Sequence, residues 1–409
     1  MSGETLDKLT RLLKKASDLP SPPVKPARAR PALEQNLPGA WEDNRRGAAF
    51  VARQTFSAQY QHGVEPITPD TPLQTLAAWA RDERLGGLSP SQFAFLDTET
   101  SGLSGGTGTY AFLVGVGRFV GDEFALAQFF LPDPAEEPAL LQALTDFLAP
   151  CRALVTFNGK AFDAPLLRAR YRLHEMPCPF DDFSHLDLLP LARRLWRDRL
   201  PSRTLKYLEE EVLAAPRSSQ EVPGYEIPWL YFDFLRTGAA APLKGVFYHN
   251  AMDVVAMAAL LHLTAGWLHD PHRAQIEHGL DVIALARLFE DLRRWEDAAQ
   301  LYERGLAENL PEADFWQAVS RLSTLERRRK NLTQAVRLWE QAAEAGHVFA
   351  HVELAKYEEH QRKDDLRALE HVAAARAALE TANLPEYQKK HWLEDLNHRQ
   401  ERLSKKTNL

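Results

Sequence analysis

The stretch 93–103 (FAFLDTETSGL) constrains the fold most, because an apolar run ends there in two carboxylates one residue apart. Four consecutive apolar residues without polar alternation predict a strand buried on both faces, at the centre of a sheet. Side chains two apart on a strand share a face, so Asp97 and Glu99 point to one place and Thr98 points away. Two such carboxylates repel each other unless a multivalent cation lies between them. An isolated Asp-x-Glu is also common by chance, with Asp97 starting a turn and Glu99 solvated.

Composition describes an ordinary globular chain of two or three domains, with 409 residues, 45% hydrophobic and 26% charged. No apolar run approaches the roughly 18 residues that cross a bilayer, and no signal peptide opens the chain, so a cytoplasmic protein without membrane contact is expected. Only two cysteines, Cys151 and Cys178, are present, which excludes a disulfide framework and a Cys-rich zinc site. Any metal is expected to be held mainly by oxygen. The net charge of −7 argues against non-specific coating of nucleic acid but permits a local basic groove.

The first 45 residues differ from the rest of the chain. Apart from one weak amphipathic pattern at 6–13, their main feature is the basic, proline-dense segment 20–31. Prolines at that density form neither a helix nor a sheet ladder, so residues 1–45 are predicted to be a mobile basic tether. Its arginines either contact a polyanion or a partner, or belong to a plain linker.

Residues 46–270 have the pattern of an α/β domain. Short apolar runs between turn residues predict strands, and apolar residues at helical spacing predict helices. Besides the strand that starts at Phe93, strands are predicted within 47–61 and at 110–119, 123–131 and 154–157, and helices at 73–84, 135–148, 186–198, 203–213, 225–236 and 243–268. Hairpin-joined strands followed by strands alternating with helices indicate a mixed sheet with helices on its faces.

Residues 275–409 are predicted to be wholly helical and to repeat. The pattern Trp295-x2-Ala298-x3-Tyr302 recurs after 37 residues as LTQAVRLW at 332–339, and a degenerate third copy is predicted near Leu366-x2-Leu369. Small and aromatic residues at a four-residue step allow close packing of antiparallel helices, as in tetratricopeptide repeats. The arm is interpreted as a surface for a protein partner, with a plain helical bundle as the alternative. Because a solenoid needs about three repeats to bury its core, the arm is expected to lean on the first domain.

Further polar residues bear on the metal question. Asp163 ends a buried strand and opens a helix, which brings it near Asp97 if the two strands are neighbours. His249 and Asp253 lie four apart on the long closing helix and so share a face, and Asp253 in that apolar helix is costly without a cation. Taken singly, Asp163 could be a helix cap and His249 a semi-buried histidine, and Asp187 is more simply an N-cap.

Together, these four carboxylates and the histidine resemble the DEDD superfamily of 3′–5′ exonucleases, which has the ribonuclease H-like fold. Asp97 and Glu99 match its first motif, Asp163 its second and Asp253 its third. The run DTETSGLSGGTGTY, the motif NGKAFD and the helical tail are also similar to the bacterial YprB family, or mitomycin repair factor B. The resemblance implies an α/β fold: a ribonuclease H-like mixed sheet with flanking helices, followed by an all-α tetratricopeptide-like arm.

The resemblance also implies a metal-dependent exonuclease that releases nucleoside monophosphates from a 3′ end. The implied cofactors are two divalent cations, Mg²⁺ or Mn²⁺, held by Asp97, Glu99, Asp163 and Asp253.

The general base departs from the superfamily pattern. Members carry either Tyr four residues before the final Asp or His five before it, whereas here Tyr248 lies five before and His249 four before. A step of four returns to the same helical face, and a step of five turns about 140° away. His249 is therefore assigned as the base that accepts the proton of the attacking water, and Tyr248 is the alternative.

Substrate contacts are predicted at three places. By resemblance, the backbone of 100–103 holds the terminal nucleotide through Thr100, Ser101, Gly102 and Leu103. Asn158 and Lys160 lie inside the second motif, where Lys160 is a candidate for a phosphate contact. Six basic residues form a candidate phosphate track, or else a solvated helical face paired with the acids at 209–211. They are Arg193, Arg194, Arg197, Arg199, Arg203 and Lys206.

Three functions fit these patterns. The first is a DNA exonuclease in repair, recruited through its arm to a partner that the resemblance suggests is a helicase. The second is an RNA-processing nuclease with the same chemistry. The third is an inactive adaptor, which would lack a carboxylate, whereas all four are present.

Overall fold

The structure is a computed structural model that describes residues 33–57, 59–68, 70–102, 108–382 and 384–407. The predicted helix at 6–13 and the proline-dense segment 20–31 lie outside the described residues. The nine described strands are β1 (Ala40–Asn44), β2 (Gly47–Phe56), β3 (Gln61–His62), β4 (Glu65–Pro66), β5 (Phe93–Thr100), β6 (Ala111–Val120), β7 (Glu123–Phe130), β8 (Ala153–Thr156) and β9 (Ser184–Asp187).

A mixed seven-stranded sheet forms the centre of the first domain, in the order β1-β2-β7-β6-β5-β8-β9, and β3 and β4 pair separately. The strands from β1 to β5 in that order are antiparallel, whereas β5, β8 and β9 are parallel. The mixed α/β sheet predicted from the sequence is confirmed. Because β5 has neighbours on both sides, it is an interior strand, as the uninterrupted apolar run from Phe93 to Leu96 requires.

Two strands of the seven-stranded sheet were not predicted. β1 pairs with β2 and lies inside the predicted tether, so the sheet begins before residue 46, and the placement of residues 40–44 in a mobile segment is wrong. Trp41 explains this pairing, because its ring packs edge-on against Phe50 of β2 at 5.6 Å between centroids. The short strand β9 occupies the start of the helix predicted at 186–198. It is too brief to show a period in the sequence.

Helices cover both faces of this sheet, as predicted. The helices of this domain are α1 (Gln74–Ala80), α2 (Glu137–Leu148), α3 (Asp163–Leu173), α4 (Leu188–Trp196), α5 (Leu205–Glu211), α6 (Ile227–Thr237) and α7 (Lys244–His269). On one face, α2 and α3 pack with α6 against apolar side chains that include Ala94 and Leu96, and on the other, α4, α5 and α7 pack against Phe93 and Phe95.

Helix α7 is largely buried and carries both His249 and Asp253. Within the described residues, the segment Ala241–His269 has the length and hydropathy of a membrane span, but 78% of its most apolar window is buried in the protein. The expectation that no apolar run is long enough to span a bilayer is therefore wrong for this helix. Its burial against β5 and β6 on one side and against other helices elsewhere accounts for its composition.

Two glycines of β6 allow α7 to approach the sheet closely. A Cβ at Gly115 would lie 2.1 Å from Asn250 Oδ1, and a Cβ at Gly117 would lie 2.8 Å from Val254 Cγ1. Both contacts are shorter than carbon atoms tolerate, so only glycine fits here. This close approach brings Asn250 and Asp253 within reach of the end of β5.

Gly115→Ala is expected to lower the free energy of unfolding by about 1–3 kcal/mol, because the added methyl group overpacks the contact between β6 and α7. The matched control is Gly266→Ala on α7, where a Cβ would meet nothing within 4 Å. At this position the higher helix propensity of alanine should raise the free energy of unfolding by about 0.5–1 kcal/mol. Urea titrations of both variants measure the difference. Equal stability of the two variants would contradict the close packing described here.

The second part of the chain is wholly helical, as predicted. Its apolar core is continuous with that of the first domain, so this arm does lean on the sheet domain. Its helices are α8 (Gly279–Asp291), α9 (Trp295–Leu306), α10 (Glu312–Arg328), α11 (Leu332–Glu344), α12 (Val348–Tyr357), α13 (Asp365–Thr381) and α14 (Glu386–Thr407).

The first two copies of the repeat pattern are buried on α9 and α11, where Ala298, Tyr302, Ala335 and Trp339 are nearly inaccessible. The third copy is wrong in register. Leu366 is 59% exposed, and α13 instead buries the face that carries Ala368, Val372, Ala375 and Leu379. Packing of α13 between α12 and α14 selects this face.

Candidate active site

Asp97 lies near the end of β5 and is held from α7. The Asn250 side chain donates from Nδ2 to Asp97 Oδ2 at 2.8 Å, and Gln128 of β7 donates to Asn250 Oδ1 at 2.9 Å. Asn250 is fully buried, so this chain of hydrogen bonds orients the Asp97 carboxylate from inside the protein. The sequence patterns did not reveal Asn250 or Gln128.

Asp163 begins α3, and β5 and β8 are parallel neighbours, as its predicted position requires. Its Oδ1 accepts a hydrogen bond of 2.5 Å from Thr98 Oγ1. Thr98 was predicted to face away from Asp97 and Glu99, and it does point toward the side of the sheet where α3 packs. The threonine therefore holds Asp163 beside the end of β5 that carries Asp97 and Glu99.

His249 and Asp253 share one face of α7, as their spacing predicts. His249 Nε2 lies 3.5 Å from Asp253 Oδ2 and 3.9 Å from Glu99 Oε1. Tyr248 turns elsewhere, and its hydroxyl oxygen accepts a hydrogen bond of 2.9 Å from the backbone N–H of Ser218. The geometry therefore brings the imidazole, not the phenol, to the acidic cluster.

A buried arginine that the sequence did not single out completes this network. The Arg217 side chain is 2% exposed, and its guanidinium contacts Asp253 Oδ1, Glu209 Oε2 at 2.6 Å and Glu221 Oε1 at 3.0 Å. Glu221 Oε1 in turn lies 2.9 Å from His249 Nδ1. The cation that Asp253 needs in this apolar helix is thus supplied here by Arg217.

The carboxylates of β5 and α3 strongly influence one another. Burial is the main cause that raises the pKa of Glu99 to about 8, and repulsion from Asp253 and Asp163 adds to it. Burial, followed by repulsion from Asp253, Glu99 and Asp163, holds the pKa of Asp97 well above its ordinary value. Burial also raises the pKa of Asp163, and the hydrogen bond from Thr98 opposes that rise. Four acidic residues from different parts of the chain therefore form one electrostatic cluster.

A cleft of about 520 Å³ opens beside this cluster, with Asp97 and Asp253 in its wall. Of the predicted substrate contacts, Asn158, Arg193 and Arg203 line it. Lys206 lies 3.7 Å from Glu221, and the Lys160 side chain is exposed outside the cleft lining. The other lining residues are Phe157, Leu189, Pro201, Ser202, Thr204 and Leu205.

The glycine-rich turn after β5 is described in part. Thr100 Oγ1 donates to the carbonyl oxygen of Gly102 at 3.0 Å, and Ser101 exchanges hydrogen bonds with Tyr110. These bonds fold the start of the turn at the end of β5, next to Glu99. Leu103, predicted to contact the terminal base, lies outside the described residues.

Asp187 is the N-cap that the sequence predicts, since its carboxylate accepts from the Leu189 N–H at 3.0 Å. It also accepts from the backbone N–H groups of Asn158 at 2.7 Å and Lys160 at 3.1 Å. Asn158 has a φ of 69°, in the left-handed region. Asp187 therefore holds the turn that leads to Asp163 in its shape.

Three of the six basic residues in the predicted phosphate track are paired with acidic side chains. Arg194 and Arg199 bridge to the helical arm, at 2.5 Å to Asp291 and 2.9 Å to Asp281, and Arg197 pairs with Asp198. Their partners are not the acids at 209–211 that the alternative interpretation named. The spacing of residues along α4 does not reveal that α8 packs alongside it. Arg193 and Arg203 remain at the cleft.

Two comparisons with known proteins bear on this site. A family model described as RNase_H superfamily matches residues 94–265, which contain all four carboxylates and the histidine. An uncharacterised protein, YprB, of Bacillus subtilis (strain 168) is 36% identical over 290 residues, which cover 69% of this chain and 69% of that protein. The chain belongs to the YprB family.

The YprB-family chain therefore has an RNase H-superfamily, nuclease-like domain followed by a helical region. Among solved structures, the family B DNA polymerase of Pyrobaculum calidifontis matches with 15% identity and a TM-score of 0.32. The match covers 50% of this chain and spans 29% of the polymerase chain.

The donor set of this YprB-family site suits Mg²⁺ or Mn²⁺. Four carboxylates offer hard oxygen atoms, and a divalent cation would relieve the repulsion that raises the pKa values of Asp97 and Glu99. In the part of the chain that the structure describes, no three His, Cys, Asp or Glu side chains are already close enough to enclose an ion. Asp253 is bound by Arg217 and Asp163 by Thr98, so cation binding requires these side chains to re-orient.

Without divalent cations, the YprB-family protein should lose stability as the pH rises from about 4.5 to 8. A carboxyl group with a raised pKa in the folded state binds more protons folded than unfolded over this interval, so the free energy of unfolding falls with pH. In Glu99→Gln, the fall in the free energy of unfolding over this pH interval should be smaller by a few kcal/mol. Thermal melts from pH 4.5 to 8, with chelator or with Mg²⁺, measure it. A wild-type melting temperature with chelator that rises between pH 5 and 8 would contradict the assignment.

The residues that the sequence patterns missed share a reason. Arg217 and Glu221 lie in the irregular loop between α5 and α6, where no periodicity marks a side chain as buried. Glu209 follows Leu208 at the start of a run of three acids, a pattern typical of a solvated helical face. Only Asp253 indicated that a partner such as Arg217 exists, because a carboxylate in an apolar helix requires a positive partner.

Proposed function

We propose that this protein is a DEDD-type, metal-dependent 3′–5′ exonuclease that acts on DNA in repair. The observation that carries the proposal is the meeting of Asp97, Glu99, Asp163 and Asp253 in one electrostatic cluster, with His249 Nε2 directed at it. Membership of the RNase H superfamily supports nuclease chemistry. The complete set of carboxylates argues against an inactive adaptor.

The four carboxylates would hold two divalent cations, Mg²⁺ or Mn²⁺. When bound, such ions stabilise the attacking and leaving oxygens of a phosphodiester displacement. His249 accepts the proton of the attacking water at Nε2, which faces the cluster. Asn250 and Thr98 hold Asp97 and Asp163 in orientation.

The cleft would bind the 3′ end of the strand. Arg203 and Asn158 in its wall offer donors for phosphate or base oxygens, and Arg193 adds a second guanidinium at the same cleft. The start of the turn at Thr100, Ser101 and Gly102 would hold the terminal nucleotide, and Lys206 and Lys160 would contact the strand farther out. DNA is favoured over RNA by family resemblance alone.

The helical arm would recruit a protein partner, which family resemblance suggests is a repair helicase. A groove of about 670 Å³ lies between α10 and α12 and is lined in part by Trp316, His347 and Phe349. Trp316 and His347 face each other at 4.4 Å between ring centroids. An aromatic groove on stacked helices supports a binding role for the arm.

The test is digestion of end-labelled single- and double-stranded DNA and RNA, with Mg²⁺, Mn²⁺ or chelator. The proposal expects a 5′-labelled DNA ladder, release of nucleoside monophosphate from a 3′ label, and no products with chelator. A substrate with a blocked 3′ end should resist digestion. Preferential cleavage of RNA would move the function to RNA processing. Internal cleavage of a circular strand, or no cleavage of any substrate, would refute the exonuclease.

A further inference from the structure

We infer that Glu221 is the positioning residue for His249, and that Arg217 holds Glu221 in place. The inference deepens the proposed function, because it rests on His249 being the base of that reaction. It concerns a loop between α5 and α6 that belongs to none of the three carboxylate motifs.

The first observation is the contact of Glu221 with one particular ring nitrogen. Glu221 Oε1 lies 2.9 Å from His249 Nδ1, while Nε2 faces Asp253 and Glu99 on the opposite side of the ring. A carboxylate on one ring nitrogen fixes both the orientation of an imidazole and the nitrogen that carries its proton. With the proton held at Nδ1, Nε2 is the atom available to accept a proton at the cluster.

Arg217 is the second group near this ring nitrogen, and its contacts favour the same arrangement. Its Nη1 lies 3.3 Å from His249 Nδ1 but only 3.0 Å from Glu221 Oε1. Nη1 donates to the Glu221 carboxylate, and that carboxylate can only accept, so His249 Nδ1 at 2.9 Å from it is the donor in their contact. If Nδ1 accepted from Arg217 instead, it would face the Glu221 carboxylate with a lone pair. That arrangement is unfavourable because both atoms are then acceptors.

Burial keeps the network in place. Arg217 is 2% exposed, Glu221 is 11% exposed, and Glu209, which binds the Arg217 Nε, is fully buried. His62 contacts the other oxygen of Glu209 at 2.7 Å. The hydroxyl of Tyr248 accepts the N–H of Ser218, which attaches the loop to α7 beside His249. The loop is therefore attached to α5 through Arg217 and to α7 through Ser218.

The test compares Glu221→Gln with Glu210→Gln, a matched change at an exposed acid of α5. Two quantities are measured for each: kcat and KM on a DNA substrate, and the imidazole ¹⁵N spectrum of ¹⁵N-histidine-labelled protein at pH 8. His249→Gln assigns the His249 signals. We expect Glu221→Gln to lower kcat about 10- to 100-fold with KM within about twofold of wild type. In this variant the proton on His249 Nδ1 should move to Nε2. Glu210→Gln should match wild type in both measurements.

Several outcomes overturn the inference. An unchanged kcat in Glu221→Gln does so, and so does a loss of kcat without any change in the His249 spectrum, which indicates a merely structural role. If Glu221→Gln does not fold, Glu221→Asp replaces it, and a wild-type kcat and spectrum there count against the inference. The spectrum needs no substrate, so failure of the proposed function is distinguishable. If wild type cleaves nothing but Glu221→Gln still changes the tautomer, the proposed function is refuted and the contact of Glu221 with His249 is retained.

Discussion

Asp97→Asn is expected to abolish DNA cleavage, with a loss on the order of 10³-fold or more, because a divalent cation contributes several kcal/mol of charge stabilisation to such a reaction. Asp97 has the central place in the cluster, since Asp253, Glu99 and Asp163 all raise its pKa. Replacing it with an amide removes a negative ligand while keeping the size of the side chain. The rate is measured as product released per unit time from a 3′-labelled strand.

The fold should tolerate this change. The amide oxygen introduced by the substitution can still accept the hydrogen bond from Asn250, and loss of a buried negative charge relieves repulsion within the cluster. The melting temperature with chelator should therefore equal or exceed that of wild type. Asp122→Asn, in the exposed turn between β6 and β7, is the matched control and should cleave at the wild-type rate. Retained cleavage by a purified, folded Asp97→Asn protein would refute the assignment.

His249→Ala is expected to lower kcat by roughly 10²- to 10⁴-fold, the usual contribution of a positioned general base. The residue beside it, Tyr248, differs in kind because its hydroxyl accepts the N–H of Ser218 and does not face the cluster. Tyr248→Phe should therefore cost no more than a few-fold. Single-turnover rates on the same labelled strand compare the two variants directly.

The variant that loses more activity identifies the general base. A larger loss in Tyr248→Phe than in His249→Ala would move the base to the tyrosine, in line with superfamily members that carry Tyr in the third motif. Equal and small losses would show that neither side chain transfers a proton. Circular dichroism and melting temperatures of both variants exclude unfolding as the cause of a lost rate.

Local sequence signals were sufficient wherever one element decides the geometry. The uninterrupted apolar run before Asp97 requires an interior strand, alternation on that strand puts Asp97 and Glu99 on one face, and a four-residue step joins His249 to Asp253 on α7. Asp163 follows from the same logic, since β8 is the parallel neighbour of β5. The α/β sheet domain and the helical arm could be predicted for the same reason.

The rest of the site depends on contacts between distant segments. Arg217 and Glu221 come from an irregular loop, and only the folded chain brings them to α7. Arg199 looked available for phosphate until α8 placed Asp281 beside it. No periodicity in the sequence encodes such contacts, because partners far apart in the chain share no spacing rule. The apolar length of α7 illustrates the same limit, since burial and membrane insertion demand the same composition.

The most direct test of the central claim is calorimetric titration of the metal-free protein with Mn²⁺, for wild type and for Asp97→Asn. If acidic side chains from β5, α3 and α7 hold divalent cations together, wild type should bind Mn²⁺ saturably and the variant at least about tenfold more weakly, as expected when a charged ligand is lost. Indistinguishable Mn²⁺ affinities in the two folded proteins would mean that these carboxylates do not form a metal centre.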